Sequence, residues 1–250
     1  MEFVKVEGLG NDFILIPSDV EPSAEEIQRW CHRRTGVGAD GVLTAVASED
    51  GRVRMRYWNA DGGEAEMCGN GLRCVARFAF ERGWVLGPSF VIDSAVGVHP
   101  VTVSPDSVRA FVGSPLRSRT DVLNVAGEEI FPVSIGNPHA VVFVDDIDSA
   151  AVAETGPAIE NDAIFPNRTN VEFVEVTDVD RIALRVWERG VGETRASGTG
   201  AAAAVFVARD RGLVGEVVAV ELSGGELTIE LGEDGAWMVG PAEVVFRGDL

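Results

Sequence analysis

Alternation of apolar and polar positions marks short strands along most of the chain. Val53-Arg54-Met55-Arg56-Tyr57-Trp58 alternates at period two, and 182–187 repeats the pattern. Further strand-like runs cover 3–16, 42–47, 90–103, 108–112, 140–144, 171–176, 217–222, 227–231 and 244–246. Three segments read as helices. The first, 23–34, opens on Ser23 followed by the acidic Glu25 and Glu26, a normal helix start. The others cover about 70–82 and 199–211, and Gly83 and Gly212 stand where a helix C-terminal glycine belongs. From Thr199 to Ala208 the residues are small and apolar on nearly every face, so a helix there must be buried all round, for instance wrapped by a curved sheet. These elements predict an α+β fold.

The pattern also repeats. At a constant offset of 129, Arg56 and Trp58 match Arg185 and Trp187, and Gly63-Glu64 matches Gly192-Glu193. Gly69 and Gly71 match Gly198 and Gly200, Ala79 matches Ala208, and Arg82-Gly83 matches Arg211-Gly212. Upstream, Gly10-Asn11 recurs as Gly136-Asn137. A fixed offset over so many positions predicts duplication, with two copies making a pseudo-symmetric pair of domains instead of a solenoid. The expected division is 1–115 plus 241–250 for the first domain and 116–240 for the second, with the boundary near 114–119.

Composition narrows the chemistry. Forty acidic against 21 basic residues give a net charge of −19, a surface that repels nucleic acid and anionic membrane. Lys5 is the only lysine, and acid-rich, lysine-poor composition resembles that of proteins from salt-loving archaea. Pyridoxal-phosphate enzymes need a Schiff-base lysine. Lys5, at the chain start in an apparent edge strand, is a poor candidate, so no cofactor is expected. Three cysteines (Cys31, Cys68, Cys74) and three scattered histidines (His32, His99, His139) suggest neither a disulfide framework nor a metal site. With no apolar run of membrane length and no signal-like start, a soluble, cytoplasmic protein is expected. Gly36-x-Gly38-x-x-Gly41 fits the dinucleotide fingerprint but follows a helix and leads into a strand, the reverse of what the fingerprint needs.

Both repeated loops place a nucleophilic side chain before a helix: Met67-Cys68-Gly69-Asn70-Gly71 and Ala196-Ser197-Gly198-Thr199-Gly200. Unpaired amides and the positive dipole end at a helix start hold anions, glycine lets the anion come close, and the same field favours a thiolate. Cys68 therefore has a reactive setting, whereas Cys74 reads as core. If two such caps faced each other across a domain cleft, an amino acid's carboxylate could bind both. Its α-carbon would then lie between two acid/base groups, which inverts the centre without a cofactor.

At these residues the chain resembles the diaminopimelate epimerase family. The resemblance runs almost end to end through 8–13, 36–41, 59–71, 136–141, 166–171, 187–194 and 240–246. It implies two pseudo-symmetric domains, each a mixed sheet or barrel around a central helix, a homodimer, and inversion of LL-diaminopimelate to the meso form. By matching motif it makes Cys68 one base and puts Ser197 where a second cysteine belongs, with His139 and Glu188 assisting at the reacting end. It assigns Asn11, Asn59, Asn137, Asn170, Glu188 and Arg189 to the substrate's ends, and Gly69, Asn70, Gly198 and Thr199 to the anion-binding backbone. Taken alone, His139 would read as a satisfied loop histidine and Glu188 as a surface carboxylate.

Ser197 departs from the family pattern. A hydroxyl forms no useful anion near neutral pH, so one direction of inversion should suffer by at least about 10²–10⁴-fold. Serine there fits a substitution that traps substrate, a natural variant helped by His139, or a paralogue that binds an amino acid without chemistry or with one-sided chemistry. A serine hydrolase is the remaining class, but Arg195-Ala196-Ser197-Gly198-Thr199 lacks the Gly-x-Ser-x-Gly elbow.

Overall fold

The computed structural model describes residues 1–65, 67–117 and 122–250. The chain forms two compact units, one of 1–111 with 240–250 and one of 112–239. Of the expected boundary stretch 114–119, positions 118 and 119 lie outside the described residues.

The first unit begins with β1 (Glu2–Gly8) and β2 (Asn11–Ile16), then α1 (Ala24–Cys31), β3 (Gly41–Ala47), β4 (Val53–Asn59), α2 (Gly69–Glu81), β5 (Ser89–Ser94), β6 (Gly97–Val103) and β7 (Val108–Gly113). The second holds β8 (Leu116–Arg117), β9 (Leu123–Val125), β10 (Glu128–Ser134), β11 (Pro138–Phe143), α3 (Val152–Glu160), β12 (Asn170–Asp178), β13 (Arg181–Glu188), β14 (Gly192–Thr194), α4 (Gly198–Asp210), β15 (Val217–Leu222), β16 (Gly225–Gly232) and β17 (Gly235–Gly240). The chain then adds β18 (Glu243–Asp249) to the first unit.

Strand pairing repeats the duplication. From β1 to β7 the pairs run antiparallel β1–β2, parallel β2–β3, antiparallel β3–β4, parallel β4–β5, then antiparallel β5–β6 and β6–β7. In the second unit β10–β11 is antiparallel, β11–β12 parallel, β12–β13 antiparallel, β13–β15 parallel, and β15–β16 and β16–β17 antiparallel. The sheet of the first unit curls so that α2 touches β1, β2, β3, β4, β6 and β18, while α4 touches β10, β11, β12, β13 and β16. Each unit is thus a mixed sheet around a central helix. Ala201–Val205, Val207 and Ala208 of α4 are all buried, as the all-round apolar run requires.

The helix ends obey local chemistry. Ser23 caps α1 in a full capping box with Glu26. Gly83 and Gly212 follow α2 and α4 at φ 73°, a left-handed conformation that costs glycine little. The Gly36–Gly41 segment does run from α1 into β3, so it lacks the strand-to-helix context of a nucleotide loop.

One expectation fails. Lys5 is not on an edge, because β18 pairs with β1 on the side opposite β2. Its ammonium is buried, donates to the Gly38 carbonyl and pairs with Asp12 at 2.6 Å. Burial alone would raise the Asp12 pKa, but hydrogen bonds from Arg33 and Lys5 outweigh it and hold the carboxyl at about 2. Among the described residues no helix is long and apolar enough to cross a membrane.

Candidate active site

In the first unit the site is built on the start of α2. Cys68 is the N-cap at φ −139°, ψ 107°, its Sγ accepts from the Gly71 amide at 3.3 Å, and its carbonyl accepts from Leu72. Thiols are poor caps compared with Ser, Thr, Asp or Asn, so helix stability does not explain a cysteine here. Asn11, at the start of β2, brings its Oδ1 to 3.1 Å from Asn70 Nδ2 and 3.9 Å from Cys68 Sγ. Its own Nδ2 donates to Asp40 at 2.8 Å, and Arg33 bridges Asp40 and Asp12. That polar lattice fixes the Asn11 amide. A crevice beside Cys68 is lined by Met55, Arg56, Tyr57, Glu64, Met67 and Ser94 among others. Arg73, one turn into α2, is wholly buried. Desolvation lowers its pKa to about 10, opposed by interaction with Cys74, Cys68 and Glu7. Its charge favours anionic sulfur nearby. Cys74 is core: burial pushes its thiol well above the usual range.

The second unit rebuilds this arrangement with different side chains. Ser197 caps α4 at φ −136°, ψ 116°, accepts from the Gly200 amide at 3.2 Å, and gives its carbonyl to Ala201. The flanking ion pair is also copied: Arg56 Nε meets Glu64 Oε1 at 2.8 Å, and Arg185 Nε meets Glu193 Oε1 at 2.8 Å.

Around Ser197 the structure gathers most of the expected residues of this unit. Glu188, half-buried at the end of β13, accepts from Thr194 at 3.0 Å and is hydrogen-bonded by Ser197. Burial pushes its carboxyl up to about 7 despite those bonds. His139 lies on β11, not in a loop, fully buried, with Nδ1 2.7 Å from Glu172 Oε1 and Nε2 2.9 Å from Asn137 Oδ1. Asn170 donates to the Pro138 carbonyl and accepts from the Arg189 amide, while the Arg189 side chain reaches the Asn167 carbonyl at 3.4 Å. Gly198 and Thr199 form the buried first turn of α4. Asn59 ends β4, in a turn whose backbone bonds link it to Gly62 and Gly63.

Sequence reading missed Glu172, Thr194 and Asp40. Glu172 had a signal: a lone carboxylate inside the otherwise apolar run Val171–Val174. Among the described residues no cluster of His, Cys, Asp and Glu has the form of a metal site.

The same fold occurs in solved structures described as a proline racemase, a hydroxyproline epimerase and PhzF-family phenazine biosynthesis proteins. A probable proline racemase from Agrobacterium radiobacter superposes with TM-score 0.76 at 15% identity, over 100% of this chain and 92% of the other. A phenazine biosynthesis protein of the PhzF family from Bacillus anthracis gives TM-score 0.75 at 17% identity, covering 100% and 98%. At such identity the likeness concerns the fold. The sequence goes further: the diaminopimelate epimerase model matches residues 3–116 and 131–245. Diaminopimelate epimerases from Alkalilimnicola ehrlichii and Moorella thermoacetica are 44% and 40% identical, over 100% of this chain and 98% and 99% of theirs. The chain belongs to the diaminopimelate epimerase family.

Proposed function

We propose that this protein inverts the α-carbon of LL-diaminopimelate to the meso form by two-base proton transfer, without a cofactor, at a rate held down by Ser197. The observation that carries this reading is the duplicated cap: Cys68 and Ser197 hold equivalent positions at the starts of α2 and α4. The start of a helix presents amides and a positive dipole end that hold anions, and two such starts would stabilise the substrate's α-carboxylate as charge builds on it during deprotonation. Cys68, with Arg73 behind it, takes the proton from one face as a thiolate. Ser197 cannot form an anion of that kind. The Glu188 carboxyl hydrogen-bonded to it can hold or release a proton near neutrality, with the hydroxyl passing that proton to the opposite face.

Asn11, Asn59, Asn137, Asn170 and Arg189 hold the two amino-acid ends, Arg189 by a bidentate contact with the distal carboxylate. Gly69, Asn70, Gly198 and Thr199 supply the anion-binding turns. Lys5, the only lysine, is occupied by Asp12 and Gly38, which supports chemistry without pyridoxal phosphate. A homodimer in the cytoplasm completes the reading.

The test is incubation of LL- and meso-diaminopimelate, separately, in heavy water, with α-deuterium read by mass spectrometry. Slow incorporation from both isomers supports inversion. Incorporation from one isomer alone identifies a one-sided paralogue, and tight binding with no incorporation identifies a sensor. Labelling of Ser197 by a serine-directed phosphonate would instead favour a hydrolase.

A further inference from the structure

The two copies differ most behind their helix caps. In the first, parallel pairing sets Phe13 opposite Gly41, and in the second it sets His139 opposite Asn170. Two residues further along the neighbouring strands stand Leu43 and Glu172. A Cβ on Gly71 would come 2.9 Å from Leu43 Cδ2, and one on Gly200 would come 3.0 Å from Glu172 Oε1. Leu43 and Glu172 thus press on the same turn of equivalent helices, and all four side chains are fully buried. Hydrocarbon in one copy is replaced by a titratable pair in the other.

The pair is not symmetrically satisfied. Glu172 Oε1 lies 2.7 Å from His139 Nδ1, but its Oε2 is buried with no hydrogen-bond partner among the described residues. A bare anionic oxygen in that setting is costly, whereas a carbonyl oxygen is tolerated. The positive end of α4 and a backbone hydrogen bond from Ala140 favour the anion, but burial outweighs them and no donor reaches Oε2 among the described residues. A protonated carboxyl resolves the geometry by donating from Oε1 to Nδ1. His139 then keeps its own proton on Nε2, which donates to Asn137 Oδ1 at 2.9 Å. With its oxygen engaged, Asn137 has its NH₂ left for an acceptor.

We propose that Glu172 is a positioning residue: as a protonated carboxyl it holds His139 as the Nε2–H tautomer, and so turns the Asn137 amide to offer its NH₂ to the substrate's carboxylate. The last step rests on the substrate reading above; the tautomer does not.

The full chain, ¹⁵N-labelled and without ligand, has three histidines, so long-range ¹H–¹⁵N correlation separates their ring nitrogens. Expected is a lone-pair-type shift for His139 Nδ1 and a protonated-type shift for Nε2. Glu172→Gln supplies an NH₂ donor in place of the acid and should preserve that signature. Glu172→Leu, the residue found at the equivalent place in the first copy, should let the tautomers mix. By calorimetry, Glu172→Leu should bind meso-diaminopimelate about tenfold more weakly, the scale of one lost hydrogen bond, and Glu172→Gln within about threefold of the parent. A proton on Nδ1 of the unsubstituted chain, alone or together with Nε2, overturns the proposal even if the Leu variant does not fold. An unchanged signature in Glu172→Leu overturns it as well. If the unsubstituted chain binds no diaminopimelate, the substrate reading fails, and the spectra still decide whether Glu172 holds His139.

Discussion

Ser197 repeats the backbone of Cys68 closely, with φ −136°, ψ 116° against φ −139°, ψ 107°, so the two side chains leave equivalent helices at the same angle. A thiol at 197 would enter a position already shaped for it. Ser197→Cys should raise LL-to-meso inversion by about 10²–10⁴-fold and cost the cap a few tenths to about 1 kcal/mol. Coupled assay of inversion and urea denaturation measure the two effects. A rate equal to or below that of the parent removes the two-base account.

Glu188 predicts a pH dependence. Its carboxyl is raised from 4.5 to about 7 in the fold, chiefly by burial. An unfolded chain ionises it at about 4.5 and the folded chain only near 7, so its contribution to stability is lost as pH rises through that window. Glu188→Gln should leave stability unchanged near pH 4 and raise it by up to about 3 kcal/mol near pH 8. In activity the same group, as proton donor opposite Cys68, should give a limb that falls as pH rises through about 7 in the direction in which Cys68 takes the proton, absent in Glu188→Gln. A parent profile flat across that range contradicts the assignment of Glu188 as proton carrier.

Cysteine reactivity separates site from core. Burial lifts Cys31 to about 11 and Cys74 higher still, while Cys68 is only half-buried. Brief alkylation near neutral pH, mapped by peptide mass spectrometry, should modify Cys68 first and abolish α-proton exchange. Preferential labelling of Cys31 or Cys74 in the native protein would contradict this ordering.

Lys5→Met should destabilise the protein by about 2 kcal/mol near neutral pH, because the largely buried Asp12 keeps only Arg33 as a cationic partner. Asp12 is held at about 2 against 3.8 unfolded, so the ionic contribution is present above about pH 4 and fades as pH falls toward 2. Chemical denaturation across that range measures it. A loss that stays constant with pH would assign the effect to packing.

Where the sequence obeyed one periodicity the fold was legible. The 53–58 and 182–187 alternations became β4 and β13, and the glycines at 83 and 212 followed α2 and α4. α3 was not seen because Gly156 and Pro157 lie inside it. Tertiary packing requires that glycine: a Cβ there would lie 2.7 Å from the Trp187 ring. β10 carries Pro132 in mid-strand, and β17 is bounded by glycines, so neither announced itself. Lys5 was misplaced because nothing local tells a strand at the chain start that β18 will return to cover it. Among the site residues the two caps were readable from the repeated loops, but the roles of His139 and Glu188 came from family likeness. Glu172 escaped because a charge inside an apolar strand run looks like noise until its partner across the strand is known.

The exchange of Phe13 and Leu43 in one copy for His139 and Glu172 in the other has a kinetic corollary. Divergence of the layer beneath a preserved frame makes the two directions unlike reactions, so α-deuterated LL- and meso-substrates should slow turnover to different degrees.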